Sequence, residues 1–137
     1  RTLKKEGDLS TPKGIFSLGT LYYRKDRIKL SKCKINKKII KKNMGWCDDP
    51  KSKKYNKLIK IPFKFSAERL FIKKNIYDII LVLNFNINPT IINKGSAIFL
   101  HIADKKYTKT LGCVAVKKKD LKNILKKISK KTKIIIS

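Results

Sequence analysis

The stretch Gly95-Ser96-Ala97-Ile98-Phe99-Leu100-His101-Ile102, followed at 110–116 by Thr-Leu-Gly-Cys-Val-Ala-Val, decides how this chain is read. Side chains alternate between the two faces of a strand, so Ile98, Leu100 and Ile102 share one face while Ala97, Phe99 and His101 share the other. By the same rule Val114 and Val116 lie opposite Cys113 and Ala115. If both aliphatic sets face the core, His101 and Cys113 project together on the far side, joined by the loop 103–112. A thiol needs a base to become a nucleophile, and an imidazole with an ordinary pKa of about 6.5 is suited to that near neutral pH. His101 is the single histidine of the chain. The spacing therefore predicts a Cys113–His101 pair on two strands.

Outward from this segment the chain reads as mainly β. Ile15–Tyr23 is rich in aromatic and apolar residues and predicts a strand, and Tyr77–Phe85 predicts a second that is apolar on both faces and hence central. Ile134-Ile135-Ile136 predicts a final strand. Leu121, Ile124, Leu125 and Ile128 recur at i, i+3, i+4 and i+7 among lysines, which predicts an amphipathic helix over 118–130, with Asp120 well placed near its start. Residues 6–14 and 45–50 carry turn chemistry, 65–74 reads as a weaker strand segment, 86–93 as a loop, and 24–44 fits no single element. No repeat or linker divides the chain. The expectation is one domain, 1–137, mainly β with one or two helices.

Composition narrows the class. Hydrophobic residues make up 42%, enough for a core at 137 residues, and no apolar run approaches the eighteen or so residues of a membrane span. The first residues lack the apolar stretch of a signal peptide, and a start at Arg1 rather than Met leaves an upstream segment to be expected. The net charge of +27 invites a nucleic-acid reading. Arginine, the usual reader of phosphates and base edges, occurs only at positions 1, 24, 27 and 69. The lysine excess accompanies abundant Ile and Asn, so a solvated surface shaped by composition drift is the favoured reading. Attraction to an anionic envelope polymer or membrane is second and nucleic acid third. Three cysteines without CxxC spacing and one histidine offer no metal site, and Cys33 and Cys47 are read as reduced, partly buried thiols.

Each candidate has a plainer reading. A free cysteine is most often a small buried hydrophobe, and a histidine can be an ordinary core residue. Gly112 favours chemistry at Cys113, because a residue without Cβ admits a substrate and lets backbone N–H groups converge. Asp48 and Asp49 are neighbours whose side chains diverge on an extended chain. Trp46-Cys47-Asp48-Asp49-Pro50 is read as a turn with an Asx cap and a packed Trp, with a pocket wall near the thiol as the alternative. Glu68 is expected in a salt bridge with one of the many lysines, and Tyr22, Tyr23 and Tyr107 in packing.

Several motifs together resemble the L,D-transpeptidase (YkuD-like) family of bacterial cell-wall enzymes. They are Glu6-Gly7-Asp8 with Thr11-Pro12-Lys13-Gly14-Ile15-Phe16, Trp46–Pro50 with Tyr55-Asn56, Ser66–Leu70, and the Gly95–His101 and Thr110–Ala115 segments. The resemblance spans nearly the whole chain and implies a β-rich sandwich with a catalytic Cys at one end of a sheet. It implies Cys113 as nucleophile, His101 as base, Thr110 as the Ser/Thr of the signature, and backbone N–H groups of Gly112 and Cys113 as oxyanion donors. Leu111 stands where a second His is usual, Ala115 where Asn or Arg is usual, and the His-to-Cys loop is short. Candidate pocket residues are Thr110, Leu111, Ser96, Trp46 and Asp48. The implied activity is acyl transfer on a peptidoglycan stem peptide in the periplasm or cell envelope, without metal or organic cofactor, by a monomer. An L,D-carboxypeptidase or amidase on the same scaffold, or a non-enzymatic polyanion-binding module, are the alternatives.

Overall fold

Ile79–Leu83 is apolar at every position because both of its faces are covered. The computed structural model describes residues 4–30, 32–104 and 112–137. Within these, the strands in chain order are β1 (Gly14–Tyr23), β2 (Lys37–Ile39), β3 (Met44–Cys47), β4 (Leu58–Lys60), β5 (Ala67–Arg69), β6 (Ile79–Leu83), β7 (Phe99–Ile102), β8 (Val114–Val116) and β9 (Lys133–Ile136). A single α-helix, α1 (Lys118–Lys127), and a 3-10 turn at Asn75–Tyr77 complete the regular structure. The main sheet runs β2-β1-β6-β7-β8, with β9 also paired to β1, and β4-β3-β5 form a separate small sheet. The fold is thus mostly β with mixed sheets, as a β-rich sandwich requires.

Alternation on β6 and β7 builds two cores, one on each face of the main sheet. Ile79, Leu81, Leu83, Leu100 and Ile102 join Ile98, just before β7, and pack with Leu121, Leu125 and Ile128. Fully burying such an aliphatic side chain stabilises by roughly 1.5–3 kcal/mol, so α1 is held by its apolar stripe more than by its ends. Lys117 at its N-cap makes no side-chain capping bond, but Asp120 in the first turn and Lys126 and Lys127 in the last suit the helix dipole. On the other face Ile80, Val82, Ala97 and Phe99 pack with Tyr22, Ile40, Trp46, Leu70 and Tyr77. Part of this second core comes from the small sheet, through Trp46 on β3.

The strands expected at 15–23, 77–85 and 134–136 and the helix at 118–130 are present, the helix ending at Lys127. Three expectations are corrected. Gly45-Trp46-Cys47 is not a turn but the central strand of the small sheet, with Gly45 paired to Ile59 on one side and Arg69 on the other. A Cβ there would lie 3.0 Å from Ile59 Cδ1 and 3.2 Å from the Glu68 carbonyl oxygen, so this glycine serves close packing. The strand read from Gly95 to Ile102 starts at Phe99 instead, because Ala97 has φ +53 and directs its N–H and C=O away from the ladder. Finally, the far face of β7 is a second buried core: His101 is only 5% exposed.

Candidate active site

β7 and β8 run parallel, with Leu100 opposite Val114 and His101 opposite Ala115. Cys113, one residue before β8, is therefore carried on the same face as Phe99 and His101. Its sulfur donates to the Ala97 carbonyl at 3.0 Å and accepts from the Phe99 N–H at 3.4 Å. Burial pushes this thiol up to about 12; the Phe99 N–H opposes the shift, Glu68 adds to it, and Lys4 opposes it. In the resting protein Cys113 is a protonated thiol.

His101 is held as a neutral imidazole. Its Nδ1 lies 2.9 Å from the Ile102 carbonyl oxygen. A carbonyl only accepts, so Nδ1 carries the proton and Nε2 keeps its lone pair. Burial lowers the His101 pKa, against the opposing pull of that carbonyl and of Asp104. The Tyr77 ring stands edge-on to the imidazole, centroids 5.3 Å apart, and also contacts Phe99.

Glu68, expected in a salt bridge, makes none among the described residues; its carboxylate instead accepts a hydrogen bond from the Tyr77 hydroxyl. Burial raises the pKa of Glu68, with the charges of Asp48 and Glu6 adding to the effect. Tyr77 is held protonated, by burial first and then by the charges of Glu68 and Cys113.

Asn56 links the small sheet to the site. Its Oδ1 accepts from Trp46 Nε1 at 2.9 Å and from the Ala97 N–H at 3.0 Å. Its Nδ2 donates to the carbonyls of Phe85 and Asn86 at 3.0 and 2.8 Å. All four hydrogen-bonding positions of the amide are thus used. The result is that Ala97 is held with its carbonyl on the Cys113 sulfur, in a left-handed conformation that costs a non-glycine residue about 1–2 kcal/mol. Beside it, Tyr55 donates to Glu6 at 2.8 Å and accepts from the Gly95 N–H at 2.9 Å, while Ser96 also donates to Glu6.

The sequence candidates therefore divide. Cys113 and Trp46 belong to one core, which His101 meets through the Tyr77 ring; Ser96 is buried against Glu6; Asp48 accepts from the Ser66 hydroxyl at 2.7 Å, at the edge of the small sheet. Asp49 caps its own turn through the Lys51 and Ser66 N–H groups, as expected of an Asx residue. Thr110 and Leu111 lie outside the described residues. Cys33, Cys47 and Cys113 form no disulfide. Gly112, at φ +128, has a packing reason: a Cβ would sit 2.9 Å from the Ser10 carbonyl oxygen. Sequence reading missed Asn56, Tyr77 and Lys4 as site-builders; the Trp46…Tyr55-Asn56 spacing was the available signal for the first.

A thiol and an imidazole thus lie on one face of adjoining strands in a β-rich domain. The family model for the L,D-transpeptidase catalytic domain (YkuD) matches residues 3–136, essentially the whole length, and the chain belongs to that family. No curated protein and no solved structure gives a significant match. Membership carries a role connected with peptidoglycan and the cell envelope. Among the described residues no helix is long and apolar enough to cross a membrane.

Proposed function

We propose that the protein transfers peptidoglycan stem peptides through a thioester on Cys113. His101 Nε2 takes the proton from the Cys113 sulfur, which attacks the carbonyl of meso-diaminopimelate in a tetrapeptide stem. The oxyanion is held by the backbone N–H groups of Gly112 and Cys113. The carbon–nitrogen bond to the terminal D-Ala then breaks, and His101 returns the proton to the departing amine. An amine acceptor displaces the sulfur in the second half-reaction; water in its place makes the same chemistry a carboxypeptidase. The observation that carries this reading is the shared face of Cys113 and His101 on adjoining strands, with the imidazole tautomer fixed by the Ile102 carbonyl. Leu111, where the family has a second His, leaves His101 as the one imidazole available.

The test is mass spectrometry of the products from a meso-diaminopimelate disaccharide tetrapeptide, comparing wild type with Cys113→Ala. A cross-linked dimer is expected, or free tripeptide if water is the acceptor, and either is lost in the variant. Unchanged substrate with the wild-type protein overturns the assignment. In that case the basic surface becomes the candidate for function, and binding to a polyanion would be insensitive to Cys113→Ala and lost at high salt.

A further inference from the structure

Lys4 is the only buried lysine among the described residues of a chain that is otherwise covered in them. Its side chain is 3% exposed and its ammonium donates to Asp8 at 2.8 Å. Desolvating an ammonium costs several kcal/mol even when it is paired, so a fold with so many exposed lysines has no generic need to bury one. The place where it is buried is informative. A Cβ on Gly95 would lie 2.9 Å from Lys4 Cε, so Gly95 is what admits the stem. A Cβ on Gly112 would lie 3.5 Å from Lys4 Nζ and 2.9 Å from the Ser10 carbonyl oxygen, so the ammonium rests directly behind the residue that precedes Cys113.

Asp8 holds this arrangement. Besides Lys4 it accepts from the Lys5 N–H at 2.9 Å and from the N–H and hydroxyl of Ser10 at 2.9 and 2.7 Å. These donors keep its carboxyl well below the usual carboxylate range, although burial pulls the other way. The charge on Asp8 is thereby spread over these donors. Around Cys113, Tyr77 and Glu68 lie on one side, His101 shares its face from β7, and Lys4, paired with Asp8, lies behind Gly112.

We propose that Lys4 supplies the counter-charge of the site: its ammonium, fixed by Asp8 behind the Gly112–Cys113 peptide, stabilises the negative charge that develops on the sulfur and on the acyl oxygen. The inference rests on Cys113 as the nucleophile. Lys4 keeps its own proton throughout; the sulfur's proton goes to His101, the sulfur–carbon bond forms, and the leaving amine receives the proton as its bond to carbon breaks. Lys4 acts through its field and is a positioning residue for charge.

Alkylation of Cys113 by iodoacetamide at pH 9, followed by mass analysis of the peptide that carries it, tests this without any peptidoglycan substrate. At that pH the rate is proportional to the thiolate fraction. Lys4→Met is expected to slow alkylation about three- to tenfold, Asp8→Asn to speed it by a similar factor, and Lys4→Arg to stay near wild type. A purely structural Lys4–Asp8 pair predicts lower melting temperatures in Lys4→Met and Asp8→Asn with alkylation rates within twofold of wild type, and that result overturns the proposal. Should Lys4→Met fail to fold, Asp8→Asn decides alone: acceleration supports the proposal, and no change or slowing overturns it. Because no stem peptide is used, a failed transferase assay counts against the proposed function and leaves this result to stand separately.

Discussion

His101 illustrates how one residue's burial sets both chemistry and stability. Its pKa is lowered in the folded protein, so the unfolded chain, near 6.5, takes up the proton first as pH falls. The stability contributed by the neutral imidazole is therefore complete above about pH 6.5 and is lost as pH drops through the folded-state pKa. The urea midpoint of wild type relative to His101→Gln is expected to shrink between pH 7.5 and 5, and a gap that widens toward acid would contradict this. The same lowering extends toward acid the range over which the imidazole stays neutral. Cys113 is shifted in the other direction: burial holds the thiol at about 12, so in the proposed mechanism its reactivity depends on a base, the imidazole on the neighbouring strand.

At the level of elements, the small sheet matters because it presents Trp46 and Asn56 to the segment before β7. Asn56→Ala leaves the Trp46 and Ala97 N–H groups and the Phe85 and Asn86 carbonyls without this partner. It is expected to destabilise by roughly 3 kcal/mol or more. The same change should lower kcat by more than it raises KM, since the Ala97 carbonyl is released from the sulfur. Thermal melts and steady-state kinetics of the variant, measured well below its melting temperature, check both. Much of this architecture was legible in the chain. Period-2 alternation marked β7, the doubly apolar run marked β6 as central, and the i, i+3, i+4, i+7 leucines and isoleucines marked α1. The rest was hidden for physical reasons. Gly45 looks like a turn residue because composition cannot distinguish a glycine needed for φ from one needed for close packing. Ala97 looks like part of a strand because nothing local reveals that Asn56, forty-one residues away, claims its N–H. Glu68 looks like a surface acid because its partner Tyr77 is fixed only by the tertiary fold.

The whole molecule carries +27 with three ion pairs among the described residues: Lys4–Asp8, Arg24–Asp26 and Arg27–Asp78. Self-repulsion on this scale opposes the compact state and is screened by salt over about 10 Å at 0.1 M. The melting temperature is expected to rise by about 3–8 °C between 20 and 300 mM NaCl, measured by calorimetry. A fall would place the balance with the ion pairs instead. One feature of the topology bears on how such a molecule comes into being. β1 pairs through its first half with β9, from Gly14 opposite Ile136 to Ser17 opposite Lys133. During synthesis, Phe16 and its neighbours emerge from the ribosome more than a hundred residues before the strand that will cover their edge. Until then β1 presents unsatisfied backbone groups, and the lysines that crowd the intervening chain keep successive nascent copies apart by charge. The surface that costs stability in the finished molecule thus protects the unfinished one.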